Sequence, residues 1–430
     1  MSDKTKETIT GRFALFSGAT KKLWLRLVFF FAIIGPGIIT SNVDNDAGGI
    51  TTYSLAGSQY GLNLLWTLIP ITVVLIIVQE MGARMGVVSG KGLSDLIRER
   101  FGARVTFFLM IALFFANIGN TVANFAGVAA SMEIFSISKS ISVPLVAAFV
   151  WWLAVKGNYK FVEKVFLGAC LFYITYIVSG FMGNSDWGAV GTALITPKIE
   201  TNLPFIAMMV GLVGTTIAPW MQFYLQSSFV DKGIRFESYK YARLDVIIGS
   251  VMVNVVAFFI IVICAVTLFQ NGIKIETAKD AALALEPLAG KYCSILFAFG
   301  LFNASVFASS ILPLSTSYTL CEAFGWESGL DHKFTAAPQF YGIYSLMIII
   351  GAIIILIPSV PLLSIMYYSQ VINGMLLPVI LIFMLYLIND KAIMGEHVNS
   401  LWMNCIAWIT IVVLVLLSLF IVVSSLLGCF

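Results

Sequence analysis

Charge is scarce in this chain. Asp, Glu, Lys and Arg make up 11% of its 430 residues, where a soluble domain carries about 25%. Apolar types reach 59%, and the mean hydropathy is +0.95. Polar side chains are too few to cover a water-soluble fold of this length. A soluble enzyme, a disordered chain and a nucleic-acid binder are thereby excluded. Histidine is scarcer still, with His332 and His397 alone. The six cysteines (170, 264, 293, 321, 405, 429) show no CxxC spacing. They read as small hydrophobes in helices, Cys293 and Cys429 being the pair that could share one side of a membrane. No phosphate loop, nucleophile–base set or zinc spacing appears, so an intramembrane enzyme has no support.

What is present is a series of long apolar runs. A hydrocarbon core of about 30 Å takes roughly 20 residues of helix. Eleven candidates follow: 25–60 (interrupted), 62–88, 104–135, 143–155, 160–183, 203–230 (interrupted), 241–269, 290–321, 338–357, 361–388 and 399–427. The runs are apolar on all faces, which excludes the alternating pattern of a barrel. With the N-terminus in the cytoplasm, twenty of the 25 Lys and Arg fall inside. Only Lys139, Lys198, Lys274, Lys279 and Lys291 fall outside. That asymmetry predicts eleven spans, N-terminus in and C-terminus out, in the plasma membrane. Residues 1–24 are polar and basic with no cleavable apolar region, so the first span reads as a retained anchor.

Two of the runs are interrupted. The first reads Gly35-Pro36-Gly37-Ile38-Ile39-Thr40-Ser41-Asn42-Val43-Asp44-Asn45-Asp46-Ala47-Gly48-Gly49. A carboxylate at mid-membrane costs about 2.5–3.5 kcal/mol on insertion scales and must face a cavity or partner. Gly48-Gly49 is the expected point of unwinding, with exposed carbonyls. The sixth span carries Gly211, Gly214-Thr215-Thr216-Ile217-Ala218-Pro219 and then Trp220-Met221-Gln222. Pro219 removes a backbone hydrogen bond near its middle. Interrupted spans in matching positions of two five-helix halves mark an inverted-repeat transporter. The halves are 25–183 and 203–389, with 399–427 outside the repeat. The predicted fold class is thus an all-α membrane protein.

The two unwound segments define the predicted site. Asp44 and Asp46 supply negative charge, freed carbonyls supply hard oxygens, and Gln222, Asn303, Gln370 and Asn373 add amide oxygens. Such a set suits a cation that prefers hard ligands. An anionic substrate would want helix N-termini without a competing Asp pair.

These residues resemble a known family. Gly35–Gly61, Gln79–Gly102 and Ser369–Pro378 are similar to the first, second and tenth helices of the NRAMP divalent-metal transporters. The resemblance implies a LeuT-like fold, a 5+5 inverted repeat with helices 1 and 6 broken, and a metal site between them. The family's D-P-G-N becomes Asp46-Ala47-Gly48-Gly49, with Gly49 in place of the metal-binding Asn. Its M-P-H becomes Ala218-Pro219-Trp220. Aligning backward from Tyr224 shifts the register by one and makes Met221 a second candidate, while Pro219 favours Ala218.

The departures carry meaning. A thioether favours softer ions over Mg²⁺, and Mg²⁺ is usually held through retained waters. A wider, all-oxygen pocket resembles the NRAMP-related magnesium transporters. The implied metal-site residues are Asp46, Gly49, Asp44, Thr215, Ala218, Gln222, Gln370 and Asn373. The metal is cargo, and no cofactor, nucleic acid or obligate protein partner is implied besides the lipid bilayer. Trp220 and Gln226 stand where the family has histidines, and Asn117, Asn120, Thr121 and Asn124 on helix three where it has acids. A proton relay lacks its carriers, so uncoupled uptake of Mg²⁺, with Mn²⁺ as a further substrate, is expected. The alternatives are a proton-coupled transition-metal carrier and an amino-acid or amine transporter of the same fold.

The remaining polar residues have simpler readings. Glu80 is expected to pair with Arg84 one turn on, and Glu133 and both histidines to be solvated. Asp245 and Asn254 read as caps or helix bridges. The Asn face of helix three is either helix–helix glue or the lining of an aqueous path.

Overall fold

Uniformly apolar segments of 19 residues or more are stable in a membrane only as helices, because no water is present to satisfy an open backbone. The computed structural model describes residues 40, 43–156, 170–183, 185–234, 236–330 and 334–427, and its regular structure is helical throughout. The segment 1–24, the stretch Gly35–Ile39, Ser41, Asn42, Arg235, His332, Lys333 and Cys429 lie outside the described residues, as do 157–169 with Lys160 and Lys164.

In chain order the main helices are α1 (Ala47–Tyr60), α2 (Leu68–Ser89), α3 (Leu93–Glu133), α4 (Lys139–Lys156) and α5 (Ile174–Met182). A short α6 (Trp187–Ile195) leads to α7 (Leu203–Thr216) and α8 (Pro219–Asp231), followed by α9 (Tyr239–Cys264). Then come α10 (Ala278–Ala282), α11 (Cys293–Phe324), α12 (Pro338–Leu356), α13 (Leu362–Ile388) and α14 (Leu401–Leu426). Among the described residues, eight segments are long and apolar enough to cross a membrane. The helices α1, α4 and α5 are the described parts of the expected first, fourth and fifth spans and are shorter.

Helix three starts eleven residues before the expected 104 and bends at Gly102 (φ 83°). Asp95, Arg98, Glu99 and Arg100 hid this amphipathic start from a hydropathy reading, yet Leu93, Leu96 and Ile97 are fully buried. Helix α3 is the centre of the bundle, packed along α11 and α13. Helices α7 and α13 meet backbone to backbone: a Cβ on Gly214 would strike Gln370 O and Gly374, and one on Gly374 would strike Val210 O. Small residues permit that approach.

At the ends of α2 and α9, Arg84 forms an ion pair with Glu80 at 3.0 Å, as the spacing predicts. Arg84 also donates to the carbonyls of His397 and Val398, both at 3.0 Å, and to the Asn399 side chain. The Tyr239 hydroxyl donates to the other oxygen of Glu80. His397 and Glu133 are exposed, in line with the solvated reading. Cys264, Cys293 and Cys321 are buried free thiols.

Candidate metal-cargo site at the two helix breaks

Both interruptions are real, and the first falls earlier than expected. Val43 and Asp44 are helical, the chain turns at Asn45 and Asp46, and α1 restarts at Ala47. Asp46 is its N-cap, with Oδ1 accepting the Gly49 N–H at 2.8 Å. Gly48 and Gly49 therefore sit in the first turn of α1 and are not the point of unwinding. A capping carboxylate at a helix start outcompetes glycine flexibility. The glycines serve close approach instead. A Cβ on Gly48 would collide with the Gln370 amide, and one on Gly49 would lie 2.5 Å from Asp44 O and 3.3 Å from Thr215 Oγ1.

In the sixth span, α7 ends at Thr216, Ile217 and Ala218 leave helical geometry, and Pro219 starts α8 at its first position. There the absent N–H of proline is harmless.

Neighbouring helices hold the first break in place. Asn124 of α3 donates to Asp46 Oδ2 at 2.7 Å and accepts from the Ala47 N–H at 3.3 Å. The Tyr173 hydroxyl donates to Asn45 O at 2.8 Å. Tyr53 and Thr216 share a hydrogen bond of 2.8 Å across the two broken spans. Further along α3, Asn120 and Asn373 exchange amide bonds at 3.0 and 2.9 Å. Asn373 also donates to Gln370 Oε1 at 3.0 Å, and Asn117 donates to Thr316 at 2.9 Å.

The eight predicted site residues divide by their bonding. Asp44, Thr215 and Gln222 are buried and keep side-chain oxygens with no partner among the described residues. Asp46, Gln370 and Asn373 have theirs engaged. Gly49 and Ala218 offer no side-chain donor, and the Ala218 carbonyl already accepts from Met221 N at 3.2 Å and Gln222 Nε2 at 3.4 Å. Asp44, Gly49 and Thr215 meet at one point, as do Gly48 and Gln370. Gln222 lies one turn into α8, and Met221 belongs to the apolar core. Asn303 is half-buried and makes none of the bonds described above. No cluster of three His, Cys, Asp or Glu that could hold a metal exists among the described residues, so two carboxylates are the acidic inventory of the breaks.

Sequence reasoning missed Tyr173 and Tyr53, which carry no local signal of their roles. Asn124 was visible through its spacing with Asn117 and Asn120, but its partner was not. Thr51 and Ser54 on α1 line, with Ala278, Ala281, Phe297, Leu301 and Leu363, a cavity of about 10 Å³. At that volume it holds one water at most.

The fold recurs in known proteins. The family model described as natural resistance-associated macrophage protein-like matches residues 37–424. The chain belongs to the Nramp family. It is therefore a divalent-metal transporter and not an enzyme. Relatives include proteins named divalent metal cation transporter MntH. That of Bacillus subtilis is 23% identical over 403 residues, covering 91% of this chain and 92% of its own. That of Erwinia tasmaniensis is 26% identical over 406 residues, covering 92% and 94%.

Among solved structures, a mutant of the Eremococcus coleocola manganese transporter superposes with a TM-score of 0.77. It has 20% identity and covers 92% of this chain and 87% of its own. The fold reaches beyond Nramp proteins. MhsT in complex with L-phenylalanine gives a TM-score of 0.63 at 12% identity, covering 90% and 98%. Mhp1, a nucleobase-cation-symport transporter, gives 0.58 at 13%, covering 91% and 91%. This Nramp member thus has the LeuT-like fold, with helices 1 and 6 broken.

Proposed function

We propose that this Nramp chain takes up Mg²⁺, with Mn²⁺ as a further substrate, by alternating access and without proton coupling. One observation carries the reading: the donors gathered at the breaks are oxygens, with the methyl of Ala218 and the hydrogen of Gly49 where family members place a thioether and an amide. Oxygen-only sites suit hard ions, and Mg²⁺ keeps much of its water shell when bound. The metal-site residues of this reading are Asp44, Asp46, Gly49, Thr215, Ala218, Gln222, Gln370 and Asn373. The amides of α3 do not titrate near neutral pH, which removes the carriers a proton relay would need. A divalent ion crossing 100 mV gains about 4.6 kcal/mol, twice the single-charge value. That drives uptake without a second ion.

The Lys and Arg asymmetry supports a plasma-membrane protein with a cytoplasmic N-terminus and repeats over 25–183 and 203–389. The second reading is proton-coupled Mn²⁺ or Fe²⁺ transport. It is favoured by the names of the relatives, divalent metal cation transporter and manganese transporter.

The deciding experiment measures Mg²⁺ and Mn²⁺ uptake into proteoliposomes with and without a pH gradient, for wild type and Asp46→Ala. Potential-driven Mg²⁺ uptake that ignores the gradient and is lost in Asp46→Ala is the expected result. Strong Cd²⁺ transport, or acidification of the lumen driven by metal, would overturn it.

A further inference from the structure

On the side of the protein where α1 ends and α7 begins lies a cavity of about 750 Å³. Leu55 and Gln59 of α1, Met208 of α7, Tyr367 and Val371 of α13, and Glu276 line it, with α14 as a further wall. The helix breaks lie deeper along the same three helices, where Asp46, Thr215 and Gln370 are buried.

The layer between cavity and breaks is one helical turn thick. Thr52 stands four residues beyond Gly48 on α1, and its hydroxyl donates to the Gly48 carbonyl at 2.7 Å. Gly211 stands four residues before Thr215 on α7, and Tyr367 three before Gln370 on α13. These side chains converge on one point. A Cβ on Gly211 would lie 3.3 Å from Tyr367 Cε2, 3.4 Å from Val371 Cγ2 and 3.7 Å from Thr52 Cγ2. The bare backbone of Gly211 is thus the seat of the Tyr367 ring.

One member of this layer can yield cheaply. Helices α7 and α13 touch backbone to backbone at Gly214 and Gly374, so parting them would break a long contact. Thr52 and Val371 are β-branched, and a helix holds such side chains in few χ1 wells. Tyr367 is half-buried and borders the cavity, and its hydroxyl makes no hydrogen bond among the described residues. A change of χ1 well carries its ring off Gly211 and into open space.

We propose that Tyr367 is the door between this cavity and the cargo site. The cavity receives the hydrated divalent cation, and the ring swings off Gly211 to let it reach the breaks. A ring without charge blocks the path and gives the ion nothing to bind. Reseated on Gly211, it closes the site to this side while the cargo leaves by the other. The proposal rests on the reading of the two breaks as the cargo site.

The test uses the full chain in detergent and a cationic methanethiosulfonate reagent, with peptide mass spectrometry identifying the modified residue. Two reporters are compared, Gln59→Cys on the cavity wall and Thr215→Cys beneath the layer. Gln59→Cys is expected to react fast in every background, and Thr215→Cys slowly while Tyr367 is intact. Tyr367→Ala should speed the second reporter at least about tenfold, Tyr367→Leu by less. Tyr367→Phe keeps the ring and should keep the slow rate. The proposal is overturned if Thr215→Cys reacts as fast as Gln59→Cys with Tyr367 intact, or if Tyr367→Ala leaves its rate unchanged. It is also overturned if Tyr367→Phe acts like Tyr367→Ala, or if both reporters speed up alike, as a merely packing role would require. Tyr367→Leu decides should Tyr367→Ala fail to fold. Calorimetric titration of wild type with MgCl₂ and MnCl₂ tests the cargo-site reading separately, and a failure there leaves the thiol rates standing.

Discussion

Asn124 grips both sides of the start of α1, donating to Asp46 Oδ2 at 2.7 Å and accepting from Ala47 N–H at 3.3 Å. A single carboxamide on α3 thereby sets the direction in which the first broken span resumes. Asn124→Ala removes a hydrogen bond to a charged group, a loss of about 2 kcal/mol. The cation-free protein should unfold at lower temperature, and uptake should fall even with saturating metal. Thermal unfolding alongside flux measurements checks both.

Gly49→Asn restores the family's asparagine in sequence but not in space. The added Cβ would lie 2.5 Å from the Asp44 carbonyl and 3.3 Å from Thr215 Oγ1. The Asp44 carbonyl cannot retreat freely, because Tyr173 pins the adjoining carbonyl of Asn45 at 2.8 Å. The variant should lose Mg²⁺ uptake without gaining Cd²⁺ uptake. Competition assays with both ions would expose any rescue.

Ala218→Met is the opposite case. Ala218 sits at the sixth-span break with its carbonyl engaged by α8, so a thioether would be the new donor there. Soft ions should gain about tenfold in affinity, roughly 1.4 kcal/mol. The site is tightly packed, with Ala218 only 2% exposed, and overpacking should cost about 1–3 kcal/mol of stability. Cd²⁺ inhibition of Mn²⁺ uptake reads the first effect and thermal unfolding the second.

Arg84→Ala takes away the ion-pair partner of Glu80 and leaves it the Tyr239 hydroxyl. Arg84 and Glu80 are both buried, at 3.0 Å from each other, and breaking such a pair costs about 3–5 kcal/mol. The double variant Glu80→Gln with Arg84→Ala should recover part of that loss, since no unpaired charge then remains. A double-mutant cycle on unfolding temperature measures the recovery.

Much of the architecture was legible before any coordinates. Apolar length located the spans, and charge inside an apolar run located the first break, because both follow from the membrane as solvent. The sixth break was legible through Pro219, and Glu80–Arg84 through its one-turn spacing. Two readings moved. Helix three begins at Leu93, since its first ten residues are amphipathic and bury Leu96 and Ile97 while keeping their charges wet. The first break lies at Asn45–Asp46 rather than at the glycines, since a helix N-terminus recruits the nearest carboxylate.

By itself the sequence determined that this is a helical membrane transporter and that two carboxylates lie where charge is costly. Those facts depend on composition and order along one chain. Tertiary structure alone decided how the two carboxylates differ. Asn124 is 78 residues from Asp46 and Tyr173 is 128 from Asn45. Which oxygens are left for a cation depends on which are already taken, and the groups that take them arrive from other helices.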